Sequence, residues 1–282
     1  MRIGLMGALC AAAVALAGCE RSGEDEVERA LRDLNVVDET NLNEVMLTVG
    51  DPDEAVRYFA GANANDPGRV DLQRGLAMSL VRANRPQDAV PAWRTVTQHP
   101  EATPDDSVGL ADALIRINSW AEAETVLDTI PPTHETFRRY RLEAMVADAN
   151  EEWAKADSFY ETAVGLTTRP AGVYNNWGYS KLTRGDYAAA ERMFINALRH
   201  DPSLFTAKNN LALARGAQRN YSLPVVAMTQ VERAMLLHTL ALAAIKQNDL
   251  VMGRTLLEEA VETHPQHFPE AVRALEALDG RV

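Results

Sequence analysis

The 282-residue sequence predicts an all-α solenoid of antiparallel helix pairs, about six to seven pairs with one degenerate, closed by a C-terminal capping helix. Three observations predict it. A block recurs from about Val36, Val70, Pro104, Phe137 and Ala171, with spacings of 34, 34, 33 and 34 residues. Inside each block, small and large apolar residues return to the same places. Turn-forming residues and prolines fall between the apolar stretches. A period of that length holds one pair of helices, which buries its apolar face only by stacking on its neighbours.

The clearest block runs from Ala171, with Tyr174, Trp177, Gly178, Ala190, Phe194, Ala197 and Pro202 at its positions 4, 7, 8, 20, 24, 27 and 32. This resembles the tetratricopeptide repeat (TPR), with one departure: Lys181 stands at position 11, where a large apolar residue is usual. Upstream, Ala55, Phe59, Ala62 and Pro67 fill the corresponding slots, as do Leu76, Ala77, Leu80, Ala89 and Trp93. Leu110, Ala111, Leu114, Ala123 and Leu127 continue the series, followed by Tyr140, Ala144, Ala156, Tyr160 and Ala163. Small residues let helix backbones approach, and the larger ones fill the space between them. Gly50-Asp51, Gly185-Asp186 and Asn248-Asp249 mark turns within pairs, and Pro67, Pro100 and Pro202 end second helices.

The array spans residues 36–267 and breaks at about 218–228. Phe205 to Ala217 reads as a first helix, but Pro224 and the β-branched pair Val225-Val226 disfavour a second one. An apolar irregular segment either packs on the groove or is offered to a partner. The pattern resumes near Ala234, and residues 268–282 form the cap, with a helix over 269–278.

The N-terminus carries a different signal. Arg2 precedes an uncharged apolar run too short to span a bilayer, which needs about 20 residues. It has the form of an export signal removed from the mature protein. Leu16-Ala17-Gly18-Cys19 resembles the bacterial lipobox, which implies cleavage after residue 18 and lipidation of Cys19. More than one acyl chain is expected there, because a single chain holds a protein only marginally. Glu20 follows, with no Asp to suggest inner-membrane retention, so the outer membrane is expected. Residues 19–35 are then a lipidated cysteine and a charged tether. Cys10 lies in the discarded segment, so a lipidated Cys19 leaves no intrachain disulfide.

Composition excludes several classes. The formal net charge of −12 becomes −13 without Arg2, which disfavours nucleic acid and anionic lipid surfaces. No phosphate loop, nucleophile elbow or zinc-helix motif occurs. The six histidines are scattered; His264-Pro265-Gln266-His267 is expected to be a solvated turn. No catalytic residue, metal or cofactor is expected.

The TPR resemblance implies a groove lined by first-helix positions. Asn175-Asn176 and Asn209-Asn210 fall there, flanked by Tyr179 and Leu213, with Arg141 and Met145 extending it. Side-chain amides both donate to and accept from a peptide backbone. The lipobox, the short tether and the broken repeat together are similar to the TadD family, the TPR lipoproteins of the tight-adherence (Flp) pilus machinery. That resemblance implies a pilotin-like scaffold at the outer membrane, with a secretin or another pilus-assembly component as partner. Two alternatives stay open: a BamD-like outer-membrane protein assembly factor, and an NlpI-like adaptor for envelope hydrolases.

Overall fold

The computed structural model describes residues 42–280. The expectations for residues 1–41, including the export signal, Cys19, the tether and the start of the first repeat, lie outside the described residues. The described residues form helices and no strand. In chain order these are α1 (residues 42–48), α2 (Pro52–Asn65), α3 (Val70–Arg82), α4 (Pro86–Thr97) and α5 (Pro104–Arg116). There follow α6 (Trp120–Asp128), α7 (Phe137–Ala149), α8 (Trp153–Gly165), α9 (Ala171–Thr183) and α10 (Tyr187–His200). The last four are α11 (Phe205–Ala217), α12 (Gln230–Lys246), α13 (Leu250–Thr263) and α14 (Pro269–Asp279). The predicted block starts Val70, Pro104, Phe137 and Ala171 are the first residues of α3, α5, α7 and α9.

The helix pairs close by one repeated device. Asn84, Asn118, Glu151, Gly185 and Asn248 all have φ between +55° and +81°, each two residues before a second helix. The amide one residue further on donates back across the turn: Arg85 to Leu80, Ser119 to Leu114, Glu152 to Ala147, Asp186 to Lys181 and Asp249 to Ala244. This is left-handed C-terminal capping, which satisfies carbonyls that the helix end leaves open. Side chains of Asp51, Asp186 and Asp249 then accept from amides of the following helix.

The chain divides into two compact units that meet between Ala113 and Leu114, inside α5. In the first unit, Ala55, Phe59 and Leu72 form a buried cluster with Met46, Leu47 and Leu76 around it. A Cβ on Gly75 would lie 2.3 Å from the Phe59 ring, and one on Gly109 would lie 2.6 Å from Trp93. Glycine at these places lets a second-helix aromatic seat on the backbone of the next first helix. Arg74 clamps Asp106 through Nε and a terminal nitrogen at 2.7 and 2.8 Å, while the Thr103 amide also donates to that carboxylate.

In the second unit, one buried cluster joins α7, α8 and α9 around Tyr160. A second joins α10 and α11 around Phe194 and Leu211, and a third joins α11 to α14 around Leu240 and Leu257. Burying side chains of this size contributes about 1.5–3 kcal/mol each.

The broken repeat keeps half of its machinery. Arg219 has φ +58°, and the Asn220 amide donates to the Arg215 carbonyl at 3.0 Å, as in the intact pairs. The first helix and its turn are therefore present. Asn220 then accepts from the amide and hydroxyl of Ser222, which turns the chain aside. Residues 218–229 stay non-helical, and Pro224 removes a donor that a helix needs. The segment packs against the core instead of lining the cavities described below. Tyr221, Leu223 and Met228 pack on the α11–α14 cluster and Val226 on the α10–α11 cluster, while Val225 is fully exposed. The pattern resumes one turn before the expected Ala234. Thr229 and Glu232 form a reciprocal capping box that starts α12 at Gln230.

Candidate functional site

Two neighbouring cavities open along the first helices of the second unit. The first, of about 480 Å³, is walled by α7, α9 and α11 with Trp120 and Tyr160 beside them. Met145, Asn175, Asn176, Tyr179 and Asn210 all line it. The second, of about 610 Å³, lies between α9, α11 and α12 and takes in Asn209 and Leu213. Leu182, Leu213 and Leu242 give it an aliphatic wall, and Tyr187 and Lys246 also line it. Arg141, expected to extend the groove, lines neither cavity.

The structure thus gathers seven of the eight predicted residues, but divides them. Adjacent Asn209 and Asn210 on α11 face different cavities. Asn210 is buried and donates to Asn175 Oδ1 at 3.1 Å. Asn176 Nδ2 lies 3.4 Å from the Met145 sulfur, a weak acceptor, and Thr239 donates to Asn209 at 2.7 Å. Each amide is held in place by one internal bond and keeps capacity for others. Tyr179 is 54% exposed at the mouth of the first cavity.

Behind that cavity lies a polar network that the sequence pattern did not single out. Asp157 on α8 accepts from Trp177 Nε1 and Lys181 Nζ at 2.7 Å each, and from Arg184 at 2.6 Å. Burial pushes this carboxyl up, but the bonds from Arg184, Lys181 and Trp177 outweigh it and hold it at about 2. Here is the reason for Lys181 at an apolar slot: its ammonium neutralises an acid from the preceding helix. Arg184 also donates to Ser180 and lies over the Trp153 ring at 5.2 Å.

Asp148, at the cavity wall, is treated differently. It accepts from the Ser180 hydroxyl at 2.6 Å and from the Tyr160 hydroxyl at 2.9 Å. Burial raises its carboxyl above the ordinary Asp range, more than these hydroxyls lower it. Burial also holds the Tyr160 phenol well above its usual value, so it stays a donor. A raised folded-state pKa means that Asp148 favours folding while protonated, and that this advantage is lost as pH rises through its folded value. Asp148→Asn is therefore expected to keep stability at neutral pH within about 1 kcal/mol, since the amide keeps one hydroxyl acceptor and sheds the desolvation cost of the charge. Urea unfolding of wild type and variant from pH 4 to 8 checks this; a large loss at neutral pH would show the charge to be stabilising.

A last buried charge sits where the array resumes. Lys208 on α11 is 2% exposed, and its ammonium lies 3.0 Å from Glu232 Oε1. Glu232 Oε2 accepts from the Thr229 amide at 2.8 Å, so one carboxylate both caps α12 and neutralises Lys208. Sequence reading missed Lys208. It stands at a slot for a bulky residue, and only the fold brings its partner to it from 24 residues away. His264 lies in its expected turn, with Nδ1 2.8 Å from the Gln266 carbonyl and its ring stacked on Phe268. Among the described residues, no group of three or more His, Cys, Asp or Glu is placed to hold a metal.

Comparison with known proteins agrees with this architecture. The tetratricopeptide-repeat family model matches residues 47–107, 74–133 and 175–223. Residues 47–133 and 175–223 thus carry tetratricopeptide repeats, and the described residues have the fold of a tetratricopeptide-repeat array. A tetratricopeptide-repeat protein from Parabacteroides merdae is similar in structure, with a TM-score of 0.55 at 12% identity over 84% of this chain and 96% of that one. A chain of the APC/C hetero-tetramer Cut9–Hcn1 gives 0.59 at 13% identity over 84% of this chain. This chain spans about half of that one, at 48%. Human IFIT1, solved as a dimer with PPP-AAAA, gives 0.59 at 15% identity over 82% of this chain and 60% of its own. At these identities the likeness shows the fold. No curated protein matches.

Proposed function

We propose that this chain is a non-enzymatic, lipid-anchored scaffold that binds protein partners through the paired cavities of its second unit, and that it serves assembly of a tight-adherence (Flp) pilus secretin at the outer membrane. One observation carries the binding reading. Side-chain amides held by single internal bonds stand beside aromatic and aliphatic walls in two neighbouring cavities, an arrangement suited to an extended polypeptide. The lipobox at Cys19 supports the anchor, and the broken repeat supports the pilus family. The chain's acidic balance gives no support for carrying over the PPP-AAAA ligand of the IFIT1 structure.

Crosslinking in intact cells followed by purification of the native protein tests this. A secretin among the crosslinked products supports it; an outer-membrane protein insertase or a peptidoglycan hydrolase in its place replaces it with one of the alternatives. Cys19→Ala is expected to move the protein from the membrane fraction to the soluble periplasm. Membrane fractionation unchanged by that substitution would remove the anchor from the account.

A further inference from the structure

We propose that the two cavities read a bipartite peptide motif, with a basic side chain entering the first beside Asp148 and a large apolar side chain about three residues away entering the second. This rests on the proposal that these cavities bind a polypeptide, and adds the chemistry of the ligand.

Among the described residues, Asp148 is the only ionisable carboxylate on the wall of the first cavity, and no lysine or arginine lines it. Its two oxygens accept one hydroxyl each, so about two of a carboxylate's four lone-pair sites remain open. The nearby cations Lys181 and Arg184 both donate to Asp157, and Arg184 acts on Asp148 as a neighbouring charge without bonding it. A half-buried carboxylate held only by neutral donors gains most from a cationic ligand, because charge-assisted bonds are about twice as strong as neutral ones. Trp120 and Tyr179 supply aromatic surface for the stem and head of a lysine or arginine.

The second cavity has the opposite preference. Leu182, Leu213 and Leu242 line it, and Lys246 repels a second basic group there. The two cavities meet at α11, where Asn209 and Asn210 face opposite ways. Their centres are offset by roughly one helix spacing, about 8–10 Å. An extended chain covers that distance in about three residues at ~3.3 Å each.

The test uses a phage-displayed library of random dodecapeptides selected against the detergent-solubilised full-length protein. Selected peptides are expected to share a Lys or Arg about three residues from a Leu, Ile, Met, Phe or Trp. Replacing the selected basic residue by a neutral isostere (citrulline for Arg, norleucine for Lys) is expected to weaken binding to wild type at least about tenfold. On Asp148→Asn the same replacement is expected to change binding less than about twofold, with matched unfolding curves showing that the variant is folded. Peptides that bind in competition with one another, lose affinity on Asn176→Ala, yet carry no basic residue would overturn the cation subsite and leave the groove intact. An equal loss on wild type and Asp148→Asn overturns Asp148 as its partner. Selected peptides indifferent to both Asn176→Ala and Asp148→Asn overturn the motif and the groove together.

Discussion

Glu232→Ala is expected to lower the unfolding free energy of the second unit by about 4 kcal/mol. Two losses combine. The substitution removes the ion partner of Lys208, which is 2% exposed, and breaking a buried pair on one side costs about 3–5 kcal/mol. It also opens the capping box that starts α12, worth about 1 kcal/mol, though the Thr229 half survives. Adding Lys208→Met to Glu232→Ala removes the stranded charge and restores a bulky apolar side chain to its repeat slot. The double variant is expected to recover more than half of the loss. Urea denaturation of the four proteins measures this, and a double variant less stable than Glu232→Ala would mean that packing of the Lys208 stem, not its charge, dominates.

Asp157→Ala is expected to cost about 3 kcal/mol. It strands Lys181, Arg184 and the Trp177 indole N–H at once, all converging on one carboxylate from α9. Arg184 keeps Ser180 and the Trp153 face, which caps the loss. Because its folded-state pKa is depressed to about 2, Asp157 contributes stability that is present above the ordinary value of 3.8 and lost as pH falls toward 2. The stability gap between wild type and Asp157→Ala should therefore narrow as pH falls from 5 toward 2. With Trp93, Trp120 and Trp153 replaced by Phe, the fluorescence of Trp177 during denaturation reports the site, since its indole donates to the carboxylate being removed.

How much of this was legible depends on range. Helix starts at Val70, Pro104, Phe137 and Ala171 follow from a period that every repeat re-states, and the pairing follows from small residues recurring where backbones approach. The left-handed turns at Asn84, Asn118, Gly185 and Asn248 carry residue types that tolerate that conformation; Glu151 and Arg219 do not announce it, because repeat context imposes it on them. The early start of α12 was readable in Thr229-Gln230-Val231-Glu232, a local signal outweighed by the repeat frame.

The polar networks were not legible. A repeat slot says that Lys181 or Lys208 is unusual, but not that Asp157 or Glu232 waits 24 residues away. The groove was legible as a list and not as a shape. Position numbers named seven residues that line one or other of two cavities, but could not tell that α11 divides them between the two. The interrupted segment could not be placed from sequence, because Tyr221, Leu223, Val226 and Met228 pack on the core in a missing helix's stead while Val225 is exposed.

The central claim is that the cavity face of the second unit holds the protein partner. Photo-crosslinking in intact cells tests it directly, with the crosslinking residue placed at Tyr179 or Leu213 on the cavity walls, or at exposed Arg192 on α10 as the control. One shared crosslinked partner is expected from Tyr179 and Leu213, lost when Asn176→Ala and Asn210→Ala are added, and none from Arg192. The same partner captured from Arg192 and not from Tyr179 or Leu213 would contradict it.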